Sequence, residues 1–242
     1  MKEAIQSYFN ESRELSTSII LVFPLFVIYQ LGLLATGGVR NGVDFMTDGL
    51  MALAGHSFWN YFLINLALLV IFGGVVLWMR KKGGFNPRLW PKVLLESTIY
   101  AFFFGGAVIG VMQFFGLDIF LASGAGEGVG GLGTFSKLVM SVGAGLYEEI
   151  VFRLFLMGGL FWLGARAIKM PVWAAAISAV LISSLAFSGV HYIGNMGDAF
   201  ELGSFFFRFI AGVMLAGIFY LRGFAVAAYT HAIYDIIVLV LR

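Results

Sequence analysis

Three charged residues, Glu148, Glu149 and Arg153, stand within an otherwise apolar stretch that runs from about residue 138 to residue 160. At the centre of a spanning helix, each such charge costs about 2.5–3.5 kcal/mol on insertion scales. The Leu, Ile, Val and Phe residues around them return only about 0.3–0.6 kcal/mol each and do not offset that cost. The stretch therefore needs partner helices, and charge kept inside a membrane at this cost indicates a functional site.

The composition of the chain indicates a membrane protein. Hydrophobic residues make up 60% of the 242 positions, charged residues only 12%, and the mean hydropathy is +0.95. Soluble domains carry about twice that charged fraction. We expect an all-α, polytopic bundle of about seven transmembrane helices, since each span needs about 20 apolar residues. The candidate spans are Ser18–Leu34, Phe58–Met79, Val93–Phe115, Lys137–Phe161, Val172–Val190, Phe205–Leu221 and Ala225–Leu241. No connection between them is long enough for a soluble domain, so residues 1–242 are expected to form one membrane-embedded domain.

The distribution of basic residues predicts the orientation of the chain. If the loop from Arg80 to Lys92 is cytoplasmic, ten of the 15 basic residues lie inside, three outside and two within the membrane. The positive-inside rule then places the N-terminus in the cytoplasm. The first span is preceded by a net negative segment and lacks a good cleavage site, so we expect an uncleaved anchor. Residues 1–15 alternate charged and apolar positions, which fits either a short interfacial helix or a solvated tail.

Two small-residue pairs predict close helix packing: Gly106 with Gly110, and Gly212 with Ala216. Small residues spaced by four let helix backbones approach each other within a membrane. The chain has no cysteine. Disulfides, thiolate nucleophiles and thiolate metal ligands are therefore excluded.

Helical spacing predicts different tasks for the two adjacent glutamates. On an α-helix Glu149 and Arg153 form an (i, i+4) pair on one face, while Glu148 points about 100° away. Arg153 can therefore hold Glu149 as a structural ion pair. Glu148 is left to face a water-filled cavity, where a desolvated carboxylate has the basicity that a general base needs.

Three further polar residues lie on later spans: His191 at the end of the fifth, and His231 and Asp235 one turn apart on the seventh. Each alone is compatible with a structural hydrogen bond. Together with the glutamate pair they outnumber what structural pairing needs. The set predicts a water-activating site with a carboxylate base, an orienting acid, and imidazoles that polarise a carbonyl or bind a metal.

The motifs formed by these residues resemble those of the CPBP family (CAAX protease and bacteriocin-processing) of intramembrane glutamate or metal-type proteases. The resemblance covers about residues 137–241 and implies an endopeptidase of a prokaryotic cytoplasmic membrane. Its partners would be the lipid bilayer and a membrane-associated, lipid-anchored or sorted protein that it cuts near the C-terminal end, with no role for nucleic acid. The motifs are EExxxR at Glu148, Glu149 and Arg153, FxxxH at Phe187 and His191, and HxxxD at His231 and Asp235.

The resemblance also implies residue roles. Glu148 would activate the attacking water with help from His191, and His231 with the residue four later would stabilise the oxyanion. That later residue is Asn in many family members and Asp235 in this chain. An ionised Asp cannot donate to an oxyanion, so Asp235 is either protonated or orients His231. Phe187 is expected on the substrate side.

The sequence leaves two alternatives for a bound metal ion. We expect no cofactor, because the resemblance favours water activation by glutamate alone. The alternative is a zinc ion held by His191, His231 and a glutamate, with a fourth position left for water.

Arg208, in the sixth span, also has two interpretations. It pairs with Asp198 or Glu201 in the preceding loop, or it binds a carboxylate or backbone carbonyl of the substrate.

Two other functional classes fit the same residues. One is a non-catalytic scaffold or immunity protein in which the charges only hold helices together. The other is a proton-coupled transporter that uses Glu148 and the histidines as a relay.

Overall fold

The computed structural model describes residues 2–36, 49, 52, 55, 57–82, 86–117, 131–193 and 197–241. Within these ranges, six helices are long and apolar enough to cross a membrane, and one apolar helix is shorter. The predicted all-α membrane bundle of about seven helices is confirmed. The helices are α1 (Lys2–Arg13), α2 (Leu15–Ala35), α3 (Phe58–Lys82), α4 (Leu89–Phe114), α5 (Thr134–Ala167), α6 (Val172–Val190), α7 (Leu202–Arg222) and α8 (Phe224–Leu239).

The winding of α5 differs from the sequence prediction. The helix has 34 residues rather than the predicted Lys137–Phe161, and its segment Ala144–Met157 is a π-helix. A π-helix closes i→i+5 hydrogen bonds, so it has more residues per turn than an α-helix, and such segments are frequent at functional sites. Glu148 and Glu149 therefore point in closer directions than the 100° expected on an α-helix.

The helix α8 lies at the centre of the bundle and packs against α2, α4, α5 and α7. It has 16 residues, or about 24 Å at 1.5 Å per residue, which is less than the roughly 30 Å hydrocarbon core of a bilayer. Its first residues, from Phe224 to Ala228, are almost fully buried. The predicted span Ala225–Leu241 is therefore a short central helix surrounded by longer ones.

Glycines set the closest helix contacts. A Cβ atom at Gly145 on α5 would lie 2.4 Å from the backbone nitrogen of Ala232 on α8. A Cβ atom at Gly212 on α7 would lie 3.1 Å from Cβ of Ser184 on α6, so the predicted close packing at Gly212 is confirmed. At Gly106 and Gly110 an added Cβ would meet no described atom within 4 Å, and the prediction for that pair is wrong.

The N-terminal segment forms the helix α1 and not a solvated tail. With 12 residues it is too short to cross a membrane. It packs against α2, α4, α7 and α8. Arg13 donates from Nη2 to the carbonyl oxygen of Tyr220 over 3.3 Å, which ties the end of α1 to the end of α7.

Candidate active site

Glu148 lies between two imidazoles that belong to different helices. Its Oε2 atom is 3.9 Å from Nε2 of His191, which follows α6, and 3.8 Å from Nε2 of His231 on α8. Glu148 is 4% exposed and His231 6% exposed. The distances exceed a direct hydrogen bond and suit a bridging water. The structure therefore brings the three predicted motifs to one buried polar point.

Hydrogen bonding fixes the orientation of His231. Its Nδ1 atom lies 2.9 Å from Oε1 of Glu149. Because an ionised carboxylate only accepts hydrogen bonds, we assign a hydrogen to Nδ1. The opposite ring nitrogen, Nε2, lies 3.6 Å from Oδ2 of Asp235. The imidazole thus sits between two acids, with Nε2 directed towards Asp235 and Glu148.

Arg153 holds the second oxygen of Glu149. Its Nε atom lies 3.2 Å from Oε2 of Glu149, so the (i, i+4) pair predicted from the sequence is present. Nη2 donates to the carbonyl oxygen of Gly212 on α7 over 3.4 Å. The guanidinium carbon lies 4.4 Å from the ring centroid of Phe187. Arg153 is only 1% exposed. Its buried side chain therefore links α5, α6 and α7.

Phe187 forms a wall of the site. Its ring centroid lies 5.1 Å from that of His191 and 5.9 Å from that of His231. The side chain is 4% exposed. The ring separates the polar centre from the apolar packing around Phe152, whose ring centroid is 5.5 Å away.

The tautomer of His191 follows from its backbone contact. Nδ1 lies 2.7 Å from the carbonyl oxygen of Phe187, and a carbonyl only accepts, so Nδ1 carries a hydrogen. Burial, and then the nearby charge of Arg208, lower the pKa of His191 below its ordinary value. The ring is therefore neutral at pH 7, and its Nε2 lone pair faces Glu148.

Arg208 ties the segment after His191 to α7. It forms an ion pair with Asp198, as one of the two interpretations predicts, and its Nη1 donates to Oγ of Ser204 over 2.8 Å. The guanidinium carbon lies 5.2 Å from the ring centroid of Tyr192. The backbone nitrogen of Asp198 donates to the carbonyl oxygen of His191 over 2.9 Å. The pair thus supports the loop that carries one of the two imidazoles.

The residues present do not form an evident metal site. Within the described part of the chain, no group of three or more His, Asp and Glu side chains is arranged to hold a metal ion. The zinc alternative at His191, His231 and a glutamate therefore has no geometric support in the described residues.

Gly145 is a feature of the site that the sequence reasoning missed. It lies one turn before the glutamates and sets the distance between α5 and the part of α8 that carries His231. A signal was present in the sequence, because Ser141 and Gly145 are small residues spaced by four.

Comparison with known proteins relates the part of the chain that carries the site to one protein family. No curated protein and no solved structure matches the chain. Residues 131–237 match the family model described as type II CAAX prenyl endopeptidase Rce1-like. This range contains all three motifs, which confirms the CAAX protease resemblance seen in the sequence. Residues 131–237, which carry the whole site, are thus similar to the Rce1-like family of CAAX prenyl endopeptidases.

Proposed function

We propose that the protein is an intramembrane endopeptidase. It hydrolyses a peptide bond near the C-terminal end of a membrane-associated, lipid-anchored or sorted protein. The single observation that carries the proposal is the placement of Glu148 within 4 Å of the Nε2 atoms of both His191 and His231. The similarity of residues 131–237 to a protease family supports the reaction class.

The attacking water is activated by Glu148 and His191. Both present acceptors to the same point, the carboxylate Oε2 and the neutral Nε2, and a water molecule there can donate one hydrogen to each. Glu148 takes a proton as the water oxygen forms a bond to the scissile carbonyl carbon. The proton then passes to the leaving amine as the C–N bond breaks.

The oxyanion is stabilised by His231. With Nδ1–H bound to Glu149, a second hydrogen on Nε2 makes the ring an imidazolium, and the nearby carboxylates of Glu149, Glu148 and Asp235 favour that charge. Nε2–H then donates to the developing oxyanion. In this arrangement Asp235 orients His231 and favours its charged form. Asp235 therefore does not itself need to donate a hydrogen bond to the oxyanion.

The substrate side is assigned to Phe187 and Arg208. Phe187 lines the polar centre, and Arg208 lies beyond His191 with its side chain 14% exposed, in reach of a backbone carbonyl or terminal carboxylate of the substrate. The proposal requires no cofactor. It places the protein in a prokaryotic cytoplasmic membrane with its N-terminus inside, as the distribution of basic residues predicts.

The test is the isosteric change Glu148→Gln, which keeps the shape of the side chain and removes the base. Cells that carry the wild-type chain or the variant would be compared by quantifying C-terminal peptides of membrane proteins. The expected result is the accumulation of an uncut precursor in the variant, with equal amounts of folded, inserted protein. Glu201→Gln, an exposed carboxylate before α7, is the matched control and should leave processing unchanged.

Two outcomes contradict the proposal. A scaffold or immunity protein predicts no change in any C-terminal peptide. A transporter predicts pH-driven flux in vesicles, lost in Glu148→Gln, with no cleaved product.

A further inference from the structure

A second polar cluster, partly buried, lies away from the active site, where α1 meets α4 and α7. Arg222 at the end of α7 donates twice to Glu96 on α4, from Nε to Oε1 over 2.5 Å and from Nη2 to Oε2 over 2.8 Å. Tyr8 on α1 also donates to Glu96. The Arg222 guanidinium carbon lies 3.7 Å from the ring centroid of Phe9. These contacts hold α1 at a fixed place beside α4.

The fixed position of α1 creates a groove between it and α4. The groove has a volume of about 510 Å³, within the range of sites that bind small molecules. Its walls are mainly apolar and aromatic. The lining residues are Ile5, Tyr8 and Phe9 from α1, and Lys92, Leu95, Glu96, Ile99 and Tyr100 from α4.

The groove has one charged end and one apolar end along α4. Lys92 lies in the first turn of that span, and Ile99 seven residues later is about 10 Å further along the axis. Leu95 and Ile99 are 64% and 49% exposed, so the groove opens sideways to the surroundings of the helix. In a membrane the start of the span lies at headgroup depth and Leu95 and Ile99 lie among acyl chains.

The charge at the headgroup end is positive. Glu96 is neutralised by the two hydrogen bonds from Arg222. In the described part of the chain, no carboxylate lies within ion-pair distance of Lys92, whose ammonium is 5.7 Å from the ring centroid of Tyr8. An unneutralised ammonium above an apolar groove matches the phosphate and acyl chain of a phospholipid.

We propose that the groove between α1 and α4 is a binding site for one anionic phospholipid. Its headgroup phosphate contacts the ammonium of Lys92, and one acyl chain lies along Leu95 and Ile99. The site is separate from the active site, and the proposal does not depend on the proposed protease activity.

The test uses the purified, delipidated full-length protein and native mass spectrometry. The probes are phosphatidylglycerol and phosphatidylcholine with identical acyl chains. We expect one tightly retained phosphatidylglycerol, bound at least about five-fold more tightly than phosphatidylcholine, since one basic residue near an anionic surface contributes about that factor. Lys92→Ala should remove the preference and Lys92→Arg should keep it. Arg88→Ala removes an equal charge one turn earlier, at an exposed position. This variant should retain the preference for phosphatidylglycerol.

A fourth variant tests the apolar wall. Ile99→Trp fills the groove and should weaken the binding of both lipids. Equal unfolding temperatures of the lipid-free variants show that the fold is retained. Equal affinity for the two lipids in the wild type overturns the proposal. So does an equal loss of preference in Lys92→Ala and Arg88→Ala, because this indicates attraction to general surface charge.

Discussion

Nδ1 of His231 lies 2.9 Å from Oε1 of Glu149, and that glutamate has no exposed surface. The same carboxylate contacts Arg153 through its other oxygen. Glu149 is therefore occupied by a guanidinium on one side and an imidazole on the other. Its neighbour Glu148 faces the Nε2 atoms of the two histidines. The two adjacent glutamates thus have different roles: Glu149 orients the residues of the site, and Glu148 is placed to react.

This division predicts that the two Glu→Gln changes differ in stability. Glu149→Gln leaves the buried Arg153 without its countercharge, and breaking a buried ion pair costs about 3–5 kcal/mol. Glu148→Gln keeps the shape of the side chain and leaves the Glu149–Arg153 pair intact, so it should cost less. Unfolding in detergent, followed by circular dichroism, would measure the difference. Equal losses in the two variants would contradict the division.

The close approach at Gly145 predicts that a larger residue at this position lowers activity although no catalytic side chain is altered. In Gly145→Ala the new Cβ would lie 2.4 Å from the backbone nitrogen of Ala232, so α8 must move away. Overpacking costs about 1–3 kcal/mol, and a shift of His231 by about 1 Å is expected to lower turnover about 100-fold. Cleavage of the substrate found in the proteome comparison would measure it.

The control for this change is Gly159→Ala on the same helix, where an added Cβ meets no described atom within 4 Å. It should leave turnover within about two-fold, since a change on an open helix surface shifts stability by at most about 0.5 kcal/mol. A similar loss in both variants would show that α5 tolerates no added methyl group, and the spacing argument would fail.

The substrate role of Arg208 predicts a split between KM and kcat. Arg208→Lys keeps the charge but loses the planar fork that contacts Asp198 and Ser204 together and binds a carbonyl or carboxylate. We expect KM to rise about ten-fold with kcat nearly unchanged, the pattern of a lost binding interaction. Asp198→Asn loosens the loop and leaves the guanidinium in place, so its effect should fall on kcat. The same kcat loss in both variants, with KM unchanged, would assign Arg208 to loop support alone.

The orientation of the chain is also testable, because the sequence contains no cysteine. A single cysteine at Asn10, an exposed position on α1, should react with a membrane-impermeant maleimide only when the cytoplasmic face is open. One at Phe200, exposed before α7, should react from the outside of intact cells. The reverse pattern would overturn the topology predicted by the positive-inside rule.

The sequence alone predicted the bundle and most of the polar centre. Charged residues inside apolar runs are rare enough to be recognised one by one, which is why Glu148, Glu149 and Arg153 were found. Glu96 also stands in a predicted span and was not singled out, and its partners Tyr8 and Arg222 are 88 and 126 residues away in the chain. No local spacing links them.

The depth of each site residue within the membrane was the second property that could not be predicted from the sequence. The predicted spans put His191 at the end of the fifth span, His231 in the first half of the seventh and Glu148 in the middle of the fourth. The structure reconciles them through a short central α8 and a long α5. Neither follows from hydropathy, which reports the length of an apolar stretch and not which helix the others surround.

The wide turns of Ala144–Met157 make the reactive centre depend on the register of a single helix. A one-residue deletion there would let the chain rewind as a tighter helix and rotate everything beyond the deletion relative to Gly145. The glutamates and Arg153 would then no longer face the same neighbours. Insertions and deletions in this stretch should therefore be far more damaging than conservative substitutions on its lipid-facing side.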